Sequence, residues 1–358
     1  MKAALTLARR GLGMVWPNPT VGCVIVRDGH VVARGWTQQG GRPHGETEAL
    51  ARAGEAARGA TAYVSLEPCC HWGKTPPCTD ALINAGIARV LVPIEDPDPR
   101  VSGRGIARLR DAGIAVETGL CAAAAAELNA GFFMRLSEGR PLTTLKLATT
   151  LDGQLATSTG ESRWITGERA RDRAHLLRAS HDAVVIGSNT VLSDDPLLTC
   201  RLPGLDEWSP VRIVVDSRLR VPLTARLVAE ARRVPTWFIT LRNGDAARRE
   251  AFLGCGAELI EVPATPDHTV DMRAAFHELG RRGLTRVLVE GGATLAAVLL
   301  RAALVDRLAW FHAPSLIGGD GIPAVAPLGI TSLEDAPRFE RLSLEPVGED
   351  VLEMLRKV

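Results

Sequence analysis

At 358 residues, 46% of them hydrophobic, the chain is long enough for two buried cores rather than one. Forty-two Lys and Arg against 41 Asp and Glu leave a formal net charge of +1, without the basic excess of nucleic-acid binders, and one Tyr with seven Phe offers few platforms for stacking bases. The opening MKAALTLARRGLG is too short and too interrupted for a signal peptide or a membrane span, and seven cysteines, an odd number, imply no disulfide framework, so the cytoplasm is the expected compartment.

Residues 1–11 predict a short helix, and Pro17-Asn18-Pro19 an extended stretch, because each proline biases its predecessor away from helix. Segments 21–27 and 30–35 are β-branched runs joined by Asp28-Gly29, a pair suited to a type I′ hairpin. A helix is expected over about 44–58, with His44 and Glu46 in its first turn. A strand over 61–66 then delivers Glu67-Pro68-Cys69, and a short helix over 79–85 opens directly after Cys78. Both thiolates would lie near helix N-termini, where free N–H groups favour negative charge. With strands at 90–94 and 114–117 around a helix near 106–112, the order β-β-α-β-α-β-α-β predicts a three-layer α/β/α sandwich.

A helix over 121–136 leads to Ser137-Glu138-Gly139-Arg140-Pro141, a polar, proline-containing break read as the boundary between domains 1–140 and 141–358. The second domain is again α/β. Strands are expected at 142–148, 183–187, 211–216, 234–240, 286–290 and 305–313, and helices near 168–179 and 270–281. Cys23, Cys121, Cys200 and Cys255 read as small buried hydrophobes.

The chemistry concentrates first in His44-Gly45-Glu46, Pro68-Cys69 and Pro77-Cys78. One imidazole and two thiolates fill three corners of a zinc tetrahedron and leave the fourth for water, as in the zinc deaminases, where the glutamate moves protons instead of binding metal. A metal so held lowers the pKa of water from about 15.7 to ~7, so that hydroxide can attack an amidine-like carbon while Glu46 shuttles its proton. The bland alternative is a closed zinc knot with Cys70 or His71 as fourth ligand, which would leave Glu46 without a task. Eight residues separate Cys69 from Cys78, a long loop carrying His71 and Lys74. That lysine is either a solvated loop charge or, with His71, a receiver of a substrate phosphate. Asn18 is either a turn residue or an amide that reads a base edge.

In the second half, Lys146-Leu147-Ala148 precedes the turn Asp152-Gly153, and Gly187-Ser188-Asn189-Thr190, Asp194-Asp195-Pro196-Leu197 and Glu290-Gly291-Gly292-Ala293 follow. A strand ending in Gly-Gly and running into a helix brings backbone N–H groups close to a cofactor pyrophosphate, although an ordinary strand-to-helix turn has the same composition. Arg178 and Arg201 are suited to clamp a sugar phosphate through paired N–H donors, or to form surface salt bridges.

Together with the Thr75-Pro76-Pro77-Cys78 loop, these segments resemble the bifunctional deaminase-reductase family of riboflavin biosynthesis, over nearly the whole chain. The resemblance implies a cytidine-deaminase-like sandwich followed by a dihydrofolate-reductase-like α/β domain. It implies Zn2+ on His44, Cys69 and Cys78 with Glu46 catalytic, His71 and Lys74 on the phosphoribosyl part of the substrate, and Asn18 on its pyrimidine. In the second domain it places NADPH against Ala148, Trp164, Thr190, Asp194, Ser217 and the run Gly292, Ala293, Thr294, Leu295, Ala296, Ala297 and Val298. Ser162, Arg178, Leu197, Arg201 and Glu290 would face the substrate, with Lys146 and Asp152 as candidates for assisting sugar-ring opening. The implied reactions are hydrolytic deamination of 2,5-diamino-6-(5-phosphoribosylamino)pyrimidin-4(3H)-one and hydride transfer to C1 of the ribosylamino group, giving a ribityl chain. The expected partner is this small molecule, with no nucleic acid and no membrane, and the chain is expected to form a homo-oligomer, a dimer or tetramer. Gly45 stands where alanine is usual, a departure expected to be neutral; Cys70 stands where a small polar residue is common and could offer the metal a wrong ligand. Two other readings stay open: a base or nucleoside deaminase with an unrelated reductase, and a zinc-stabilised RNA-binding or assembly module, which the near-neutral charge disfavours.

Overall fold

Alternation of side chains sets the first sheet: along β1 (Gly22–Arg27) Cys23 and Ile25 enter one core while Val24 enters another on the opposite face. The computed structural model describes residues 1–242 and 245–358, in two compact units, Met1–Gly139 and Arg140–Val358. The first unit begins with α1 (Lys2–Ala8), then β1, β2 (His30–Trp36), α2 (Gly45–Ala53), β3 (Thr61–Val64), α3 (Cys78–Asn84), β4 (Arg89–Val92), α4 (Arg104–Asp111) and β5 (Ala115–Thr118). It closes with α5 (Ala122–Leu128) and α6 (Ala130–Glu138). The sheet order is β2-β1-β3-β4-β5, antiparallel at β1/β2 and β1/β3 and parallel beyond. Ala49, Leu82, Ile106 and Leu109 from α2, α3 and α4 pack one face, and Ala4, Leu5 and Leu7 of α1 lie with Leu128 on the other side, which makes three layers. Asp28 and Gly29 both have positive φ, 50° and 77°, as a type I′ turn requires.

Four local expectations need correction. Pro17-Asn18 lies in a turn closed by the Asn18 N–H on the Val15 carbonyl, not in an extended stretch. The helix expected over 44–58 stops at Ala53, where Gly54 takes φ +54°, and His44 caps it from outside with ψ 159°. The helix over 121–136 is broken at Asn129, whose side chain bonds both the N–H and the carbonyl of Thr20 at 3.0 and 3.1 Å and so draws the chain out of helical geometry. Cys23 and Cys200 are buried as expected, but Cys121 and Cys255 are only half-buried; all are free thiols.

The second unit contains β6 (Leu142–Thr150), β7 (Gln154–Ala156), α7 (Glu168–Ala179), β8 (Ala183–Gly187), α8 (Ser188–Asp194), β9 (Val211–Val215) and α9 (Arg226–Ala229). It continues with β10 (Thr236–Leu241), α10 (Ala246–Gly254), β11 (Glu258–Val262), α11 (Met272–Arg281), β12 (Arg286–Val289), α12 (Ala293–Arg301), β13 (Arg307–Ala313), β14 (Ile322–Pro323), β15 (Phe339–Val347) and β16 (Asp350–Lys357). A nine-stranded sheet runs β11-β10-β9-β8-β12-β6-β13-β16-β15, parallel except for the C-terminal hairpin. The central strands β8 and β9 are buried along most of their length, as parallel strands covered by helices are, with Arg212 of β9 the one charged residue among them. Because β12 inserts between β6 and β8, the strand order reverses there, and the crevice beyond the carboxyl ends of these strands is where such sheets take ligands.

Backbone contact fixes α2 on the first sheet. A Cβ on Gly35 would stand 2.5 Å from the Ala49 nitrogen, and one on Gly45 2.5 Å from the Val21 carbonyl oxygen. Glycine at 45, neutral by expectation, is therefore what this close approach needs. Gly35→Ala should push α2 off β2 and cost roughly 1–3 kcal/mol as overpacking does; a lowered denaturation midpoint of the full chain checks it, and an unchanged midpoint would contradict the contact.

Candidate active sites

Three elements of the first unit deliver the ligand set. His44 precedes the first turn of α2, Cys69 follows β3 by way of Leu66-Glu67-Pro68, and Cys78 is the first residue of α3. His44 Nδ1 lies 3.2 Å from Cys78 Sγ and 3.7 Å from Cys69 Sγ, and the three ligand atoms all fall within 4.8 Å of one another. The Cys78 N–H donates to Cys69 Sγ at 3.3 Å, so the N-terminus of α3 serves both sulfurs. Hydrogen bonds from Cys78 and His44 pull the Cys69 thiol down to about 4, whereas the bond with Cys69 and its own burial push Cys78 up. The two sulfurs thus differ in acidity, and binding of a soft divalent cation would displace the protons they hold.

Glu67 sets the approach to Cys69. Its buried carboxylate accepts the N–H groups of Asp96, Gly103 and Ile106, each at 3.0 Å, tying the strand end to the segment before α4. Cys70 does not join the ligands: its thiol donates to the Arg100 carbonyl at 3.6 Å, and among the described residues the metal-type cluster is His44, Cys69 and Cys78 alone. The closed four-ligand knot is therefore not formed.

Glu46, the second residue of α2, is 2% exposed and its Oε2 has no hydrogen-bond partner. Burial, ahead of the neighbouring charges, pushes its carboxyl up to about 7. A carboxyl poised near neutrality beside three soft ligands fits a hydrolytic zinc centre better than a structural one. Around it, Asn18 is half-buried against Gly41, whose missing Cβ makes room for its amide, and His71 is half-buried with Nδ1 unpartnered. Lys74 is exposed on the inter-cysteine loop. Arg42, which carries no sequence motif and was not expected in the site, bonds Thr75 on that loop.

In the second unit the expected residues gather at the strand-order reversal, in two cavities that share Thr190 and Gly292. The smaller, ≈ 250 Å³, is lined by Ser217, Gly292, Ala293, Thr294, Leu295 and Val298, together with the unforeseen Asn189, Val215, Arg220, Val270 and Met272. The larger, ≈ 490 Å³, holds Ala148, Trp164 and Asp194 with Ser162, Arg178, Leu197, Arg201, Glu290 and Lys146. The N-terminus of α12, capped by Gly292 without a side-chain bond, borders both, and its free N–H groups suit an anionic cofactor. Two expected residues drop out: Ala296 and Ala297 are turned by helical periodicity into the core and line neither cavity. Asp152 also lies elsewhere, accepting from Thr150 and from the N–H groups of Ile317 and Gly318.

Arg178 needs a second correction. It is neither a surface salt bridge nor a free phosphate clamp, because Nε and Nη2 are committed to Glu290 at 2.6 and 2.9 Å and Nη1 to the Thr199 carbonyl at 3.0 Å. Against the burial that would raise it, this guanidinium holds Glu290 down to about 2. Lys146, half-buried at the cavity wall, has its pKa lowered by burial, with Glu290 opposing the shift. Arg201 is exposed at the cavity, its Nη2 3.4 Å from His175 Nε2.

Comparisons with known proteins cover both units. The model of the RibD C-terminal domain matches residues 141–352, and that of the cytidine and deoxycytidylate deaminase zinc-binding region matches residues 1–94. The riboflavin biosynthesis protein RibD of Escherichia coli (strain K12) is 44% identical over 98% of this chain and 96% of its own length, and that of Aquifex aeolicus (strain VF5) 42% identical over 98% and 96%. Among solved structures, Acinetobacter baumannii RibD superposes with a TM-score of 0.87 at 37% identity, covering 100% of this chain and 97% of that one. A diaminohydroxyphosphoribosylaminopyrimidine deaminase/5-amino-6-(5-phosphoribosylamino)uracil reductase from Thermotoga maritima gives 0.86 at 33% identity, with coverage of 100% and 97%. With relatives above 40% identity along nearly its full length, this chain belongs to the RibD family of riboflavin biosynthesis, bifunctional enzymes that join a zinc-binding deaminase domain to a reductase domain.

Proposed function

We propose that residues 1–140 catalyse hydrolytic deamination of 2,5-diamino-6-(5-phosphoribosylamino)pyrimidin-4(3H)-one, and that residues 141–358 reduce the product with NADPH to 5-amino-6-(5-phosphoribitylamino)uracil. The observation that carries the first step is the convergence of His44 Nδ1, Cys69 Sγ and Cys78 Sγ within 4.8 Å, beside a buried Glu46 with one unpartnered oxygen. Zinc on these ligands supplies Lewis acidity that brings the ionisation of water from a pKa of about 15.7 toward ~7. Glu46 accepts the first water proton at Oε2 and passes it to the ring nitrogen, then takes the second proton from the hydroxyl now on the carbon and passes it to the departing amine, which leaves as ammonia, a task suited to a carboxyl raised to about 7. Asn18 orients the pyrimidine, and His71 with Lys74 receives the phosphoribosyl part.

In the second step NADPH supplies the hydride, and the protein positions and polarises. Thr190, Ser217 and the first turn of α12 hold the cofactor, with Ala148, Trp164 and Asp194 toward its reactive end. Ser162, Leu197 and Arg201 hold the substrate; Arg178 acts through Glu290, which it keeps ionised. Of the two candidates for assisting ring opening, Lys146 lines the substrate cavity and Asp152 does not, so the role falls to the Lys146 ammonium. A buried ammonium of lowered pKa gives up its proton more readily.

The chain also associates with itself, as a dimer or tetramer; support comes from the edge strand β15, which leaves Leu342 and Leu344 exposed at 42% and 55%. No helix among the described residues is long and apolar enough to cross a membrane, and the free cysteines fit the reducing cytoplasm. Light scattering behind size exclusion should return a multiple of the 38.2 kDa chain, and a monomer at micromolar concentration would remove the assembly.

Two further outcomes test the chemistry. Glu46→Gln should lose ammonia release by at least ~100-fold while binding zinc stoichiometrically and still oxidising NADPH with the deaminated intermediate; full ammonia release would end the proton-shuttle role. Chelation of zinc should abolish ammonia release and leave NADPH oxidation intact, restored by added Zn2+; parallel loss of both activities would contradict two separate sites.

A further inference from the structure

The loop between the two cysteines is exposed from Trp72 to Pro76, and one guanidinium from outside meets its tip. Arg42 Nη1 donates to Thr75 Oγ1, and Nη2 lies 3.4 Å from the place a Cβ on Gly73 would take. Arg42 belongs to the segment Gly41-Arg42-Pro43-His44, whose Gly41 packs against Asn18 and whose His44 is a metal-type ligand. One short stretch of chain therefore joins Asn18, the ligand set and the loop that carries Lys74. Arg42 is half-buried, its partner is a neutral hydroxyl, and among the described residues no carboxylate is recorded paired with it.

Charge balance asks for such a cation. Two thiolates offset a divalent ion, Glu46 adds one negative charge, and a phosphate monoester brings between one and two more. Lys74 alone leaves this sum negative by one to two charges, and a second cation at the same loop brings it to within about one charge of balance. A guanidinium also matches phosphate oxygens through parallel N–H donors, which a neutral hydroxyl partner does not use. The geometry points to Arg42 as a specificity-determining residue of the deaminase step: beside Lys74 it receives the phosphate of the phosphoribosyl group, exchanging the Thr75 hydroxyl for phosphate oxygens. This rests on the phosphoribosyl substrate proposed above and adds a residue to its recognition.

The test compares kcat/KM for ammonia release from the phosphorylated substrate and from its dephosphorylated analogue, using the full-length zinc-loaded chain. Arg42→Ala should reduce the preference for the phosphorylated compound by roughly 10- to 100-fold, mainly through KM, and weaken competitive inhibition by inorganic phosphate. Arg42→Lys should retain part of the preference, and Thr75→Val, which removes only the resting partner, should retain all of it. If Arg42→Ala slows both compounds equally, or if Thr75→Val reproduces its loss, Arg42 merely props the loop and the inference is overturned. A native circular dichroism spectrum and intact reductase rate guard against unfolding. Wild-type protein that deaminates neither compound would defeat the substrate reading itself; wild-type preference undiminished in Arg42→Ala would defeat this inference alone.

Discussion

Glu46, Cys69 and Cys78 are three acids sharing one dry pocket with a single imidazole, and their mutual repulsion must be relieved by positive charge. Burial, with the Cys69 charge adding to it, raises the Glu46 carboxyl to about 7, and the two sulfurs are driven apart in acidity, Cys69 down and Cys78 up. Ionised groups in such a place cost several kcal/mol each unless paired, so the site stores a demand for a cation that the fold does not itself supply. The surrounding contacts keep that demand in place: α2 is pressed on β1 and β2 at Gly35 and Gly45, and the Glu67 carboxylate fastens the chain leading to Cys69. Catalytic capacity here follows from a pocket too rigid to let its acids move apart.

The second unit solves the opposite problem. Glu290 lines a cavity and is less enclosed than Glu46, yet burial would still raise it; two donors of Arg178 satisfy it, and it stays ionised well below the ordinary carboxylate range. One buried carboxyl is left free to exchange a proton and the other is pinned in its charged form, a contrast set by a single guanidinium. The ionised Glu290 in turn sets the field around Lys146, whose burial would otherwise favour the neutral amine more strongly.

Much of this was legible in the residues, for identifiable physical reasons. Metal ligands and their glutamate are short-range patterns that reveal themselves by spacing, and the hairpin at Asp28-Gly29 needs positive φ that few residue pairs provide. Runs such as the apolar 183–187 and the β-branched 211–215, interrupted only by Arg212, announce central parallel strands. What stayed hidden depends on long-range partners. The break at Asn129 exists because its amide finds Thr20 from 109 positions away, and the Arg178–Glu290 fork spans 112 positions. The edge strands β11 and β15 mix charged and apolar residues without a regular period, and only their neighbours in the sheet make them strands. Ala296 and Ala297 were misplaced for a simpler reason: a contiguous run was assigned to the cofactor where a helix presents only part of its circumference.

Both sites must recognise the same phosphoribosyl group, and their arginines divide the labour differently. In the second unit the sequence singles out Arg178 and Arg201, but a guanidinium already forked to a carboxylate has little left for phosphate, which leaves the exposed Arg201 as the arginine with donors to spare for the role proposed above. In the first unit no arginine stands in the motif, yet Arg42 reaches the exposed inter-cysteine loop, where its hydrogen bond among the described residues is to the neutral Thr75 hydroxyl. Whether an arginine can serve as a phosphate ligand is thus decided less by its place in a motif than by what its nitrogens are already bonded to.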